Sequence, residues 1–138
     1  MNKLTDNLLI KRVLSLDLPS NDCAVFGTGC MFAHGLKDLR DDIDLIARDS
    51  AWEKAKTLGK SSIPGSGVGE VVALDNGMVE VFNKWFPGDW NVDELIDTAE
   101  VIEGLRFVTL ENVIKWKRLM ARPKDFEHIK TIEDYLSR

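Results

Sequence analysis

Hydrophobic and polar positions along this chain change period several times, and each change marks a predicted element. Leu9, Val13 and Leu16 fall at i, i+4 and i+7, which predicts an amphipathic helix over Leu4 to Leu16 that stops before Pro19-Ser20-Asn21-Asp22. Cys23 to Phe26 is a short apolar run, read as a buried strand. Gly27-Thr28-Gly29 then opens a helix through Ala33, which Gly35 ends, and the charged loop Lys37 to Asp41 leads into a strand over Asp42 to Ala47.

Ser50-Ala51-Trp52-Glu53 has the spacing of a capping box and predicts a helix to about Leu58, followed by a loop over Lys60 to Gly69. Glu70 to Leu74 and Met78 to Phe82 flank Asp75-Asn76-Gly77, the pattern of a β-hairpin. Asn91 caps a helix with Asp93 and Glu94 in its first turn, Thr109 caps one over Leu110 to Ala121, and Pro123 opens the last. These elements predict an α+β fold in which helices pack against a small mixed β-sheet and the chain closes with a helical pair. At 138 residues, the whole chain (1–138) reads as a single domain.

Composition narrows the functional classes. A hydrophobic share of 44% and a charged share of 30% are those of a soluble globular protein. No apolar run approaches the roughly 20 residues of a membrane span, and the polar N-terminus does not read as a signal peptide, so a cytoplasmic protein with no membrane contact is expected. The net charge of −5 argues against a broad nucleic-acid-binding face. It leaves a local RNA contact open at Lys115, Lys117, Arg118, Arg122 and Lys124. Cys23 and Cys30 lack a metal-binding spacing and read as buried thiols, and His34 and His128 receive no catalytic role.

The chemistry concentrates at Gly27-Thr28-Gly29 and Asp42-Ile43-Asp44. Backbone N–H groups at a helix N-terminus favour an anion and glycines let a phosphate approach the main chain, although the same glycines would also serve a plain tight turn. Alternation places Asp42 and Asp44 on one strand face, where two like charges call for Mg²⁺ or Mn²⁺ between them. Glu80, between Met78 and Phe82 on its own strand face, is the candidate third carboxylate.

Leu110, Val113, Ile114 and Lys117 share one helical stripe, and Asp125, Ile129, Ile132 and Leu136 share another. Lys117 and Asp125 are therefore expected to meet, either as a structural ion pair or as groups touching a triphosphate. Gly65-Ser66-Gly67-Val68-Gly69 has neither dinucleotide nor P-loop spacing and reads as a flexible loop. Trp85, Phe86 and Trp90 are candidates for packing or for stacking a base.

A glycine-hydroxyl turn after a strand, an Asp-x-Asp strand and a later carboxylate together resemble the DNA polymerase β-like nucleotidyltransferase superfamily, and its small bacterial members most of all. Leu110 to Lys117 and Arg122-Pro123-Lys124-Asp125 resemble the closing segment of that family. The resemblance implies a nucleotidyltransferase that moves a nucleoside monophosphate from an NTP such as ATP to a hydroxyl acceptor, a small molecule or RNA, with pyrophosphate leaving. It implies Asp42, Asp44 and Glu80 as metal ligands and Gly27, Thr28 and Gly29 at the nucleotide phosphates. Lys117 would offset developing charge and Asp125 would orient it. The chain departs from the family at Thr28, which keeps the hydroxyl of the commoner serine, and at His128, where many relatives carry aspartate. The second departure and the short length leave a different reading in place: a catalytically weak binding protein of the same fold, one half of a toxin–antitoxin pair, with a partner protein.

Overall fold

In a computed structural model describing residues 3–138, the chain forms one seven-stranded mixed sheet with six α-helices. The strands are β1 (Cys23–Phe26), β2 (Ile43–Ala47), β3 (Ser61–Ser62), β4 (Val71–Leu74), β5 (Val79–Phe82), β6 (Glu100–Ile102) and β7 (Leu105–Phe107). Their order across the sheet is β3-β4-β5-β2-β1-β7-β6. The helices are α1 (Leu8–Ser15), α2 (Thr28–Ala33), α3 (Asp49–Leu58), α4 (Val92–Asp97), α5 (Leu110–Met120) and α6 (Pro123–Leu136). The α+β class read from the sequence is the one observed. Among the described residues no helix is long and apolar enough to cross a membrane.

The centre of the sheet fixes everything around it. β1 runs antiparallel to β2, with Phe26 opposite Asp44, and β2 runs parallel to β5, with Asp44 opposite Glu80. Directly paired residues project to the same face, so Phe26, Asp44 and Glu80 stand in a row on one side of the sheet. The residues between them, Val25, Leu45, Val79 and Val81, are buried on the other side. There Gly29 lies so close to β1 that a methyl group on its Cα would meet Val25 Cγ1 at 2.5 Å.

Several local expectations are corrected. The N-terminal helix is broken: Leu4–Asp6 is a 3₁₀ turn, and Asn7 turns to extended backbone and caps α1 by accepting hydrogen bonds from the N–H groups of Leu9 and Ile10. Ser50 does not cap α3, which starts one residue earlier, after Arg48. Its Oγ instead donates to Asp22 at 2.7 Å, and Arg48 bonds Asp22, Asp93 and Asp97, so ties to other elements set this helix start. The loop after α3 contains β3, a two-residue strand paired with β4. The Asp42 strand begins at Ile43, and the helix capped by Thr109 ends at Met120.

The hairpin around Asp75-Asn76-Gly77 forms as expected, its three residues at φ 54, 56 and 87°. Cys23 and Cys30 are buried free thiols. Glu100 to Phe107, to which no element was assigned from sequence, forms the β6–β7 hairpin that completes one sheet edge.

Gly29→Ala separates two opposed effects. Helix propensity alone favours alanine by about 1 kcal/mol, whereas forcing a methyl into the contact with Val25 costs about 1–3 kcal/mol. The contact is expected to win, lowering the urea midpoint. A raised midpoint would show that β1 and α2 yield.

Candidate functional site

Gly27 ends β1 and caps α2 at φ 82° and ψ −144°, a backbone conformation open in practice to glycine alone. A methyl group at this position would lie 4.0 Å from Asp44 Oδ2, so the turn passes directly beside that carboxylate. Thr28 follows as the first residue of α2. Asp42 is exposed just before β2, Asp44 is partly buried within it, and Glu80 is partly buried on β5. The β2–β5 register sets Asp44 beside Glu80, and Asp42, just before β2, lies near enough for its charge to act on both.

Their electrostatics follow from that crowding. Burial, then Asp42, then Glu80 push the Asp44 carboxyl up to about 7, and burial with Asp42 also raises Glu80. No hydrogen bond from a described residue offsets either shift. Among the described residues no three His, Cys, Asp or Glu side chains already stand at metal-holding geometry. The acids converge without closing on a common point. Partly desolvated, mutually repelling and without hydrogen-bond donors, Asp44 and Glu80 are nevertheless oxygen ligands of the kind hard cations prefer.

Two cavities flank the carboxylates. On the Asp42 side a groove of about 500 Å³ is lined by Thr28, by the cations Lys37, Arg40 and Lys124 and by the acids Asp38, Asp41 and Asp42, with Arg40 paired to Asp38 at 2.9 Å. On the other side Asp44 and Glu80 open into a cavity of about 330 Å³ walled by Phe82, Trp85, Phe86 and Trp116 and by the Gly65–Ser66 loop. A larger hollow of about 640 Å³ beyond Trp85 contains none of the three carboxylates, so size alone does not locate the chemistry. Trp116 and Trp90 donate their indole N–H groups to the carbonyls of Phe86 and Pro87. The indole N–H of Trp85, stacked on Phe26 at 4.5 Å, has no partner among the described residues.

Lys117 and Asp125 do meet, at 3.5 Å, and both are almost fully buried. Arg122 closes the cluster with Nε 2.6 Å from Asp125 Oδ2. Burial alone would raise the Asp125 carboxyl, but the hydrogen bonds from Arg122 and the charge of Lys117 outweigh it and hold Asp125 at about 2. The Lys117 ammonium also donates to Nδ1 of His128 at 3.0 Å, which places the imidazole proton on Nε2. Lys117 lines neither flanking cavity, and its ammonium lies 5.1 Å from the centre of the Trp116 ring. Gly29 likewise serves packing, its Cα held against Val25.

Of the basic segment Lys115 to Lys124, only Lys124 lines the groove. Lys115 lies over the Trp90 ring and Arg118 pairs with Glu133. Lys37 and Arg40 were not singled out from the sequence, where the only signal was the charged loop immediately before Asp42. Phe82 and Trp116 were missed as cavity walls because their neighbours in space come from distant strands and loops.

Two substitutions should shift stability in opposite directions with pH. The folded protein holds Asp44 protonated up to about pH 7, against an ordinary carboxyl value of 3.8, so its ionisation weakens the fold as pH rises from about 4 to 7. Asp44→Asn is therefore expected to be more stable than the parent at pH 8, on the order of 2 kcal/mol, with the gain gone near pH 4. Asp125 has its value lowered to about 2, so its contribution is complete above about pH 4 and lost as pH falls towards 2. Asp125→Asn leaves Lys117 buried and unpaired and should cost about 3–5 kcal/mol at pH 7. Urea titrations across pH measure both, and curves that shift in parallel would contradict these assignments.

No family model matches the chain, and no curated protein matches it. Among solved structures the chain is similar to JHP933 from Helicobacter pylori, at 15% sequence identity and a TM-score of 0.44, over 84% of this chain and 57% of that one. The chain therefore spans little more than half the length of that protein.

Proposed function

We propose that this protein is a metal-dependent nucleotidyltransferase that moves a nucleoside monophosphate from an NTP to a hydroxyl acceptor. The observation that carries the reading is the convergence of Asp42, Asp44 and Glu80 between a polar groove of mixed charge and an aromatic cavity. Asp42 and Asp44 would hold Mg²⁺ or Mn²⁺, with Glu80 as a further ligand. Such a cation, when bound, neutralises charge on the transferring phosphoryl group and on the leaving pyrophosphate.

The chain's own residues supply the rest. The N–H groups at the Gly27-Thr28 turn and the side chains of Thr28, Lys37, Arg40 and Lys124 receive the β- and γ-phosphates in the groove. Glu80, with its proton affinity raised by burial and by Asp42, takes the acceptor hydroxyl proton. Lys117 would contribute from the interior, as a buried positive charge held in place by Asp125 and acting across a poorly hydrated medium.

One observation favours a second reading, a catalytically weak protein of the same fold that works by binding a partner protein, as in a toxin–antitoxin pair. Lys117 is sequestered by Asp125 and His128 and does not enter the groove. RNA as the acceptor would draw on the few free cations near Lys124 and would give salt-sensitive binding.

A thermal-shift panel of ATP, GTP, CTP and UTP, each with and without Mg²⁺, tests the donor site. Saturation near 100 times Kd should add about 2.7 kcal/mol, a shift of several degrees for a domain of this size. The shift should require Mg²⁺ and vanish in Asp44→Asn, which should also lose most pyrophosphate release from the preferred NTP. Equal shifts without metal, or a fully active Asp44→Asn variant, would overturn the reading. A tightly co-purifying protein with no NTP response would favour the second.

A further inference from the structure

The 330 Å³ cavity on the Glu80 side has a composition unlike that of the groove on the Asp42 side. Among the described residues Lys84 is its only cation, and its walls are Phe82, Trp85, Phe86 and Trp116 with Pro64, Val68 and Val71. A polyphosphate would find one lysine there among mostly apolar walls, whereas the groove on the opposite side is polar, with Lys37 and Lys124 beside an Arg40 paired to Asp38 and the acids Asp41 and Asp42. The rings belong to one connected cluster: Trp85 lies 5.4 Å from Trp116 and 5.5 Å from Phe82, centroid to centroid. Phe86, half exposed at the mouth, leaves an aromatic face open to an incoming ring. Pro64, Gly65 and Ser66 of the glycine-rich loop close the remaining side.

From this we infer that the cavity is the acceptor site and that it takes a small, planar, uncharged ring compound bearing a hydroxyl. The inference rests on the transferase reading above, in which Glu80 receives the acceptor proton. Only an occupant of this cavity can present a hydroxyl to Glu80 while its ring lies among the aromatic walls. The volume is at the low end for small-molecule sites, which fits a ligand of one or two fused rings. A cationic acceptor is disfavoured because it would compete with the metal for Asp44 and Glu80. In the transfer the acceptor oxygen forms a bond to the α-phosphorus, and the bond from that phosphorus to the bridging oxygen breaks. The bonding electron pair leaves with pyrophosphate, and the hydroxyl proton passes to the Glu80 carboxylate.

The test uses 2-naphthol with the full chain, followed by saturation-transfer NMR and calorimetric titration. Saturable one-site binding is expected, retained in the presence of saturating Mg²⁺-tripolyphosphate, which occupies the groove, and retained also with Mg²⁺-NTP. Phe86→Ala should weaken it about tenfold at an unchanged melting temperature, since the side chain is half exposed and its carbonyl still accepts from Trp116. Ser66→Trp, placed to fill the cavity from the loop, should abolish it.

Absence of saturable binding, or binding that neither variant weakens, overturns the inference. Displacement by Mg²⁺-NTP but not by Mg²⁺-tripolyphosphate also overturns it, by showing that the cavity holds the base of the donor. The NTP thermal shifts report separately on the transferase reading: if they are present while 2-naphthol fails to bind, the acceptor assignment alone is lost. If they are absent, the transferase reading fails and takes the acceptor assignment with it.

Discussion

Everything at this site depends on the register of β2 between β1 and β5. Pairing of Asp44 with Phe26 on one side and Glu80 on the other puts two carboxylates side by side in a sheet whose surrounding positions Phe26, Ile43, Leu45, Val79 and Val81 are apolar and, by burial, core. A slip of one residue would turn Asp44 into the layer held by Val25, Leu45 and Val81 and expose Ile43 and Leu45 in its place. Apolar burial thus fixes the register strongly, and the register fixes the carboxylates. Asp44 and Glu80 are held close although each raises the energy of the other's charged form, because the strands that carry them are held by the core. The strain is local, and a bound cation would relieve it.

The central strands and the placement of the carboxylates on them were legible in the sequence because both obey the two-residue period. Asp42-Ile43-Asp44 and Val79-Glu80-Val81 alternate in a way that names the buried and the open side without further information. The meeting of Lys117 and Asp125 was legible for the analogous helical reason, each lying on an otherwise apolar stripe of a capped helix. What escaped was either too short or decided by distant partners. β6 and β7 have three residues each, too few to display a period, and their turn uses Glu103-Gly104 at φ 50 and 83° where Asn-Gly would have announced a hairpin. Ser50 looked like a cap, but Asp22 captured its hydroxyl and Arg48 was anchored to three acids from other elements. Asn7 could have been recognised as the true start of α1, since a side-chain acceptor followed by an apolar run is the ordinary signal.

The two cavities were not readable, because each draws its walls from segments far apart in the chain. Phe82, Trp85, Phe86 and Trp116 meet Pro64 to Ser66 only after β4 and β5 have paired and α5 has packed. In the sequence the glycine-rich loop had no motif to argue from, and its contribution is shape alone. The basic segment Lys115 to Lys124 misled in the opposite sense. Adjacent in sequence, its cations separate on folding into a buried pair, a ring contact, a surface ion pair and one groove residue.

Lys117 poses the sharpest energetic question in the molecule. Burying an ammonium costs several kcal/mol, and a carboxylate at 3.5 Å with a second cation already bonded to it is a weak compensation. Desolvation lowers the proton affinity of Lys117 despite Asp125, and His128 is held below its usual value by burial and then by Lys117 itself. A purely structural solution would be cheaper with an apolar residue at this position, since well-packed hydrophobic replacements of buried pairs are often as stable or more so. Use of its positive field, as in the transferase proposed above, would give the Lys117–Asp125–Arg122 cluster a rationale beyond packing. The ammonium lies 5.1 Å from the centre of the Trp116 ring, a wall of the cavity that Asp44 and Glu80 open into, and it lines neither that cavity nor the groove. His128, accepting from the Lys117 ammonium at Nδ1, holds that ammonium in place alongside Asp125, and burial with the Lys117 charge disfavours its own protonation.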